Sequence, residues 1–174
     1  MPPRSDDLHL ARLVACPVVV LTAAPPDGEG YLAMVSSLSY ADLSPVLFAT
    51  NLAKSSRTGA AILASGNLTV SIMADHHQEA LRHLSNNSQP CPLSAAGFTL
   101  RKTAFAPGID DAISVFTASV KERMPLPSST LIVLAPLERA LEGNFEQQSP
   151  LIRYNRSYRI LAGEFAEAED AYPV

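Results

Sequence analysis

Hydrophobic residues come in short, β-branched bursts along most of this chain, separated by turn formers. Residues 17–24 (PVVVLTAA) are one such burst, opened by a proline and closed by Pro25, Pro26, Asp27 and Gly28. This predicts a strand with a turn behind it. Residues 31–40 (YLAMVSSLSY) predict a second strand. A third is expected from Pro45 to Asn51, again begun by a proline where a missing N–H does least harm. The Asp27-Gly28 pair favours an antiparallel hairpin between the first two.

From Lys54 the period changes. Ser55, Ser56 and Thr58 precede Ala60, Ala61, Leu63 and Ala64, and Gly66 closes the segment. A hydroxyl N-cap, a short apolar face and a glycine stop predict a helix. Residues 67–74 (NLTVSIMA) place Leu68, Val70 and Ile72 on one face of a strand. Asp75 is then expected to cap a second helix, with Gln78 completing a capping box and Leu81 and Leu84 as its buried edge. Residues 85–97 read as a loop. Segments 98–106, 112–124 and 129–141 read as further strands, and 151–161 mixes aromatics with arginines. A run of strands with two short helices in the first half predicts a mainly β fold, a closed or nearly closed barrel with helices outside. The domain is expected over 15–161, flanked by an N-terminal arm or helix at 1–14 and an acidic tail at 162–174.

Composition narrows the classes. The 174 residues are 47% hydrophobic and 17% charged, too apolar for disorder, and suit a single core. A net charge of −4 offers no basic surplus for a nucleic-acid backbone. The longest apolar stretch, Cys16 to Leu21, is far short of the ~20 residues that span a bilayer. The acids in the first residues are unlike a signal peptide. Two cysteines make neither a disulfide framework nor a metal spacing, so a reduced, cytoplasmic protein without membrane or nucleic-acid partners is expected.

Candidate chemistry concentrates at one place. No glycine pattern forms a dinucleotide fingerprint or a P-loop, and no serine sits in a nucleophile elbow. His76, Glu79 and His83 share a helical face, but seven residues, roughly 10 Å of helix, separate the histidines, too far for one metal ion. No metal site is expected. Asn51, Lys54, Ser55, Ser56, Arg57 and Thr58, by contrast, stand where a strand ends and a helix begins. Two cations, three hydroxyls and a carboxamide are all donors, and the helix adds unpaired N–H groups and the positive end of its dipole. That combination suits a phosphate monoester. The plain alternative is a helix cap beside solvated cations. Ser36, Ser37 and Ser39, in a segment patterned for burial, need partners that a polar heterocycle or the sheet itself would supply.

The order of these features resembles the flavin reductase-like family. The matching features are the strand and Asp-Gly turn, Met34 to Ser37, Leu43 to Pro45, an apolar strand ending in Asn51, Lys54 to Thr58, and Ser65 to Asn67. Near the end, Ser149 to Tyr154 and Ser157 to Leu161 are similar to the family's closing segment. The resemblance covers 15–161. It implies the FMN-binding split β-barrel shared with pyridoxamine 5′-phosphate oxidases, a homodimer with FMN at its interface, and an oxidoreductase in which flavin, not a catalytic side chain, does the chemistry. It would place Val35, Ser36 and Ser37 along the isoalloxazine, and Asn51 near the ring or ribityl chain. Lys54, Ser55, Ser56, Arg57 and Thr58 would surround the phosphate, with Arg153 and Tyr154 completing the pocket. Many nicotinamide-dependent members carry Gly-Asp-His where this chain has Leu126, Pro127, Ser128, Ser129 and Thr130. Slow reduction by NAD(P)H is therefore expected, with Arg153 and Arg156 as candidates for holding nucleotide phosphates. A pyridoxamine-phosphate-oxidase-like flavin or haem binder without reductase turnover is the alternative, and a flavin-free interaction module is a third reading.

Overall fold

Every residue of the 19–23 segment is buried, and this follows from coverage on both faces of the sheet it occupies. In the computed structural model, which describes residues 10–24, 30–86, 91–141 and 148–160, a helical turn at 10–12 precedes the first strand. The elements that follow are β1 (Cys16–Pro17), β2 (Val19–Ala23), β3 (Tyr31–Val35), β4 (Ser39–Leu43), β5 (Val46–Ala53), α1 (Arg57–Ser65) and β6 (Asn67–Ile72). A 3₁₀ turn at Asp75–His77 leads into α2 (Gln78–Asn86), then β7 (Cys91–Pro92), β8 (Leu100–Arg101) and β9 (Gly108–Ile109). The chain closes with β10 (Ser114–Pro125), β11 (Ser129–Leu141), β12 (Leu151–Tyr154) and β13 (Ser157–Ile160).

The fold is predominantly β. An eight-stranded sheet runs in the order β4-β5-β11-β10-β6-β2-β3-β7, and a three-stranded sheet, β1-β12-β13, sits beside it. The large sheet keeps two free edges among the described residues, so the barrel is split rather than closed. Its long central pair, β10 and β11, carries register shifts between Phe116 and Ala118 and between Val120 and Glu122. Such irregularities bend strands and increase their twist, which lets one sheet curl around a core. Three backbone bonds knit the small sheet to the large one: Val18 N–H donates to Leu151 O, Leu151 N–H to Met73 O, and Met73 N–H to Val18 O.

Strand alternation sorts the core into two clusters. Val19, Leu21 and Ala23 pack with Leu68, Val70, Phe116, Ile132 and Ile62 of α1. Val18 and Val20 join Met73, Ile109, Leu151 and Leu81 of α2 on the other side. Burial of both faces explains why the sequence of β2 reads as a continuous apolar run. The helix expected after Lys54 is α1, capped by Ser56 and closed by Gly66 at φ 72, whose N–H donates to Ile62 O. The β2–β3 pairing is antiparallel as expected, while the Asp27-Gly28 turn lies outside the described residues. So do most of the arm at 1–14 and the tail at 162–174.

Several expectations are corrected. Segment 31–40 is two strands, because the chain turns between Val35 and Ser39. Segment 98–106 keeps only β8. Beyond it Thr103 turns inward, its hydroxyl 2.8 Å from Thr69 Oγ1 and 2.7 Å from Ala106 O, which accepts from the Thr69 hydroxyl at 2.6 Å. Local side-chain bonds of this kind compete with a sheet ladder. The second helix starts through a 3₁₀ turn rather than at Asp75. The residue that reaches back is His77, not Gln78, its Nδ1 accepting the Ala74 N–H at 3.2 Å. The 85–97 stretch holds the end of α2, β7 and a short 3₁₀ turn. The last segment is a hairpin, with Asn155 at φ 45 and Arg156 at φ 65. Among the described residues no helix is long and apolar enough to cross a membrane.

Candidate functional site

The donor-rich segment sits at the junction of β5 and α1. β5 pairs antiparallel with β11, Asn51 opposite Leu131, and leaves the sheet at Ala53. Two backbone bonds shape the exit: Lys54 N–H donates to Ser128 O and Ser56 N–H to Ala53 O. Ser56 then caps α1, its Oγ accepting Gly59 N–H at 3.0 Å and its carbonyl accepting Ala60 N–H. The N–H groups of Arg57 and Thr58, on the helix's first turn, have no intrahelical acceptor within reach. Lys54, Ser55 and Arg57 are exposed around this end, and no acidic residue stands in the first turn. Thr58 is buried, so of the expected set it has the least surface to offer a ligand.

The serines after β3 diverge. Ser37 Oγ hydrogen-bonds to Thr50 Oγ1 at 2.9 Å and accepts Asn51 N–H at 3.1 Å, which fixes the chain after Val35 against β5. Val35 packs against the core cluster beneath α1. Ser36 lines a cleft elsewhere, described below. Ser39, expected to need a buried partner, is exposed on β4. Of Val35, Ser36 and Ser37, it is Ser37 whose hydroxyl reaches the Asn51 backbone, and β5 carries that line into Lys54–Thr58.

The connection between β10 and β11, residues 126–128, is tight. Leu126 N–H donates to Ser129 O, and the Pro127 carbonyl accepts from Lys54 Nζ at 3.2 Å. This turn therefore lies against the junction, offering it carbonyls and hydroxyls but no ionisable group. Toward the other end of β5, the sheet opens two apolar hollows of about 340 and 370 Å³ that share Phe48 and Ile72. One is walled by Pro17, Leu38 and Tyr40, the other by Val46, Phe116 and Pro136.

Two groupings escaped the linear sequence. His77, nearly fully buried, directs Nε2 to Asp111 Oδ1 at 2.9 Å, and exposed His76 places its Nε2 3.4 Å from Asp111 Oδ2. The ligand atoms of His76, His77 and Asp111 lie within 4.8 Å of one another. His77 Nδ1 accepts the Ala74 N–H, so Nε2–H donates to the Asp111 carboxylate, which makes the pair a structural clasp. Burial works to raise the Asp111 carboxyl. The hydrogen bond from His77, the nearby histidine charges and its own backbone outweigh that and hold it below the ordinary range. Adjacent histidines gave a signal, but their acidic partner lies 34 positions away. The second grouping is a cleft of about 250 Å³ in which Arg12, Arg153 and Arg156 meet Cys16, Ser36 and Asn155. Tyr154, expected beside Arg153 in the pocket, does not line this cleft.

Comparison with known proteins adds to this geometry. The flavin reductase like domain profile matches residues 11–162. The styrene monooxygenase flavin reductase of Pseudomonas putida S12 superposes with a TM-score of 0.79 at 17% identity, covering 92% of this chain and 100% of the other. A nitrilotriacetate monooxygenase component B homologue from Mycobacterium thermoresistibile gives 0.81 at 20% identity, covering 95% and 94%. The NADH:FAD oxidoreductase SgcE6 of Streptomyces globisporus C-1027 gives 0.77 at 16%, covering 93% and 100%. No curated protein matches the chain.

Proposed function

The chain belongs to the flavin reductase-like domain family, a family of flavin-dependent oxidoreductases built on the split barrel, and from that premise we propose that it binds FMN at the β5–α1 junction and turns over as a flavin reductase. The observation that carries this reading is the donor set itself. Lys54, Ser55, Arg57 and two helix N–H groups meet at one strand-to-helix corner with no carboxylate in the first turn. Such a corner fits a dianionic phosphate, because both charges and all the hydrogen-bonding groups have the required sign. Thr58, being buried, supports the turn from within, and Ser56 holds the helix end in place with its hydroxyl. Val35, Ser36, Ser37 and Asn51 would flank the ring, and the hollows around Phe48 and Ile72 offer apolar surface for its face.

Bound there, the flavin would supply redox chemistry between a reduced nicotinamide nucleotide and an acceptor, and Lys54, Ser55 and Arg57 would hold its phosphate. The protein's part is to bind and orient. Lys54, steadied by the Pro127 carbonyl, and Arg57 neutralise the phosphate, and the Ser37–Thr50 pair holds the ring-side strand rigid. No side chain needs to act as acid or base.

A homodimer completes the site in this reading. All five residues of β4 are exposed, and Tyr40, Leu43 and Val46 present large apolar side chains beside the hollows. Apolar surface of this kind, unpartnered by the same chain, suits burial against a second copy. A second reading, a flavin binder without reductase turnover, draws on the β10–β11 turn, which brings no acid or imidazole to the junction. The test is the absorption spectrum and mass of the ligand that co-purifies, followed by anaerobic stopped-flow reduction with NADH and NADPH. A yellow protein with FMN mass that bleaches slowly is expected. A colourless chain that takes up no flavin would overturn the binding site, and full FMN occupancy without bleaching would favour the second reading.

A further inference from the structure

We propose that the acidic segment 164–170 of this chain docks in the cleft between the N-terminal turn and the β12–β13 hairpin, as the chain's own counter-ion for the arginines gathered there. Arg12, Arg153 and Arg156 come from separated parts of the chain yet line one cleft of about 250 Å³, together with Cys16, Ser36 and Asn155. Backbone bonds hold its walls together. Asn155 N–H donates to Arg12 O, which joins the N-terminal turn to the hairpin tip, and β1 pairs Cys16 with Arg153. Tyr158 of the same hairpin donates its hydroxyl to Met34 Sδ at 3.1 Å, fixing it beside β3.

The cleft lacks a negative charge. No carboxylate lines it, and none of the three arginines forms an ion pair among the described residues. Guanidinium groups take carboxylates by paired, planar N–H donors, so acidic side chains suit this cluster in geometry as well as sign. Arg156 also occupies a left-handed position, φ 65, at the hairpin tip where glycine would be easier. A strained residue retained beside a cleft points to a role for its side chain.

The missing charge lies just downstream. Glu164, Glu167, Glu169 and Asp170 fall within seven residues, and no lysine or arginine follows Arg159. These four acids equal the whole of the chain's net charge of −4, so the rest of the chain is balanced and the imbalance sits in this one segment. Its length permits the return. β13 ends at Ile160, four residues or about 13 Å of strand from Arg156 at the tip. Extended chain covers at most about 3.6 Å per residue, so Glu164 can just regain the tip, while Glu167 reaches about 25 Å and Asp170 about 36 Å. Arg159, exposed on β13, lies on the way back. An exposed ion pair is weak alone, but a short tether keeps all four acids at roughly millimolar effective concentration, which favours this occupant over a free anion. The docked segment neutralises the arginines beside Ser36, and an external anion reaches them only by displacing it.

The experiment treats the full-length chain with a glutamate-specific protease and follows cleavage after Glu164, Glu167 and Glu169 by mass, in the wild type and in an Arg12→Gln, Arg156→Gly double variant. Cleavage needs the segment released, so its rate tracks the released fraction. At low salt it is expected to be roughly tenfold faster in the double variant, and high salt should close that gap by speeding the wild type. Arg156→Gly relieves the positive φ and the Arg12 backbone carbonyl is retained, so the melting temperature is expected to hold, which separates a released tail from a loosened fold. In Arg156→Lys, a carbodiimide that joins carboxylate to amine with loss of water is expected to link position 156 to segment 164–170 within one chain. Equal low-salt cleavage of wild type and double variant would leave the cleft to an external anion and overturn the proposal. So would the absence of that link, or a link formed only between two chains, which would assign the cleft to a second copy's tail. Neither readout needs bound flavin, so this proposal and the flavin reading fail separately.

Discussion

Replacing Arg57 with alanine removes one of the two cations at the β5–α1 corner and leaves the backbone that shapes it. Arg57 is the first residue of α1 and is exposed, and Ser56, the capping residue, is untouched. Alanine is a good helix former, so α1 is expected to persist. A hydrogen bond to a charged group contributes about 1.5–3 kcal/mol, and solvent screening at this exposed position puts Arg57 near the lower end. At about 1.4 kcal/mol per factor of ten, FMN affinity should fall roughly tenfold. Lys54→Ala should cost more, because Lys54 Nζ also ties down the Pro127 carbonyl and so holds the β10–β11 turn against the junction. The assay is quenching of flavin fluorescence, run in parallel with FMN and with riboflavin, which lacks the phosphate. Riboflavin should bind the wild type and Arg57→Ala within about twofold of each other. Added salt should narrow the FMN gap between wild type and variant. Equal losses for the two ligands would refute the assignment, since a group that touches phosphate cannot weaken both alike.

Ser56→Ala removes the α1 cap and should cost about 1 kcal/mol, seen as a melting temperature lower by roughly 2–4 °C, with Ser56→Gly milder. Asp111→Asn should destabilise the protein at neutral pH. The Asp111 carboxyl is held below its unfolded value, so its contribution is complete above the ordinary carboxylate pKa and is lost as pH falls through the folded one. The gap in melting temperature between wild type and Asp111→Asn should therefore close in acid, and a gap that widened there would contradict the clasp. Sedimentation should give a mass near twice 18.6 kDa, and Tyr40→Glu on exposed β4 should shift it toward one chain. A wild-type monomer that still binds FMN tightly would remove the dimer from the reading.

The sequence by itself determined the elements whose signals are local. The hydroxyl cap at Ser56 and the stop at Gly66 delimit α1 because capping is a matter of neighbouring backbone groups. The β-branched runs gave β2, β5 and β11, the last with both ends as expected at Ser129 and Leu141; β2 is buried throughout, while β5 and β11 mix buried with half-buried and exposed positions, and in each the local run of strand formers carried the signal. The phosphate-like corner was legible for the same reason: its donors lie within eight residues, from Asn51 to Thr58. Tertiary structure decided the rest. Whether a hydroxyl is free or spent depends on what the sheet sets opposite it. Ser37 is bonded to Thr50, Ser39 is exposed and Thr58 is enclosed, though all three read alike in sequence. His77 became a clasp because Asp111, 34 positions on, folds against it. The arginine cleft could not be read along the chain, since Arg12 and Arg153 become neighbours only when β1 pairs with β12 and Asn155 bonds back to Arg12. Contacts of that span are fixed by strand pairing and shared burial, and no local window of sequence carries them.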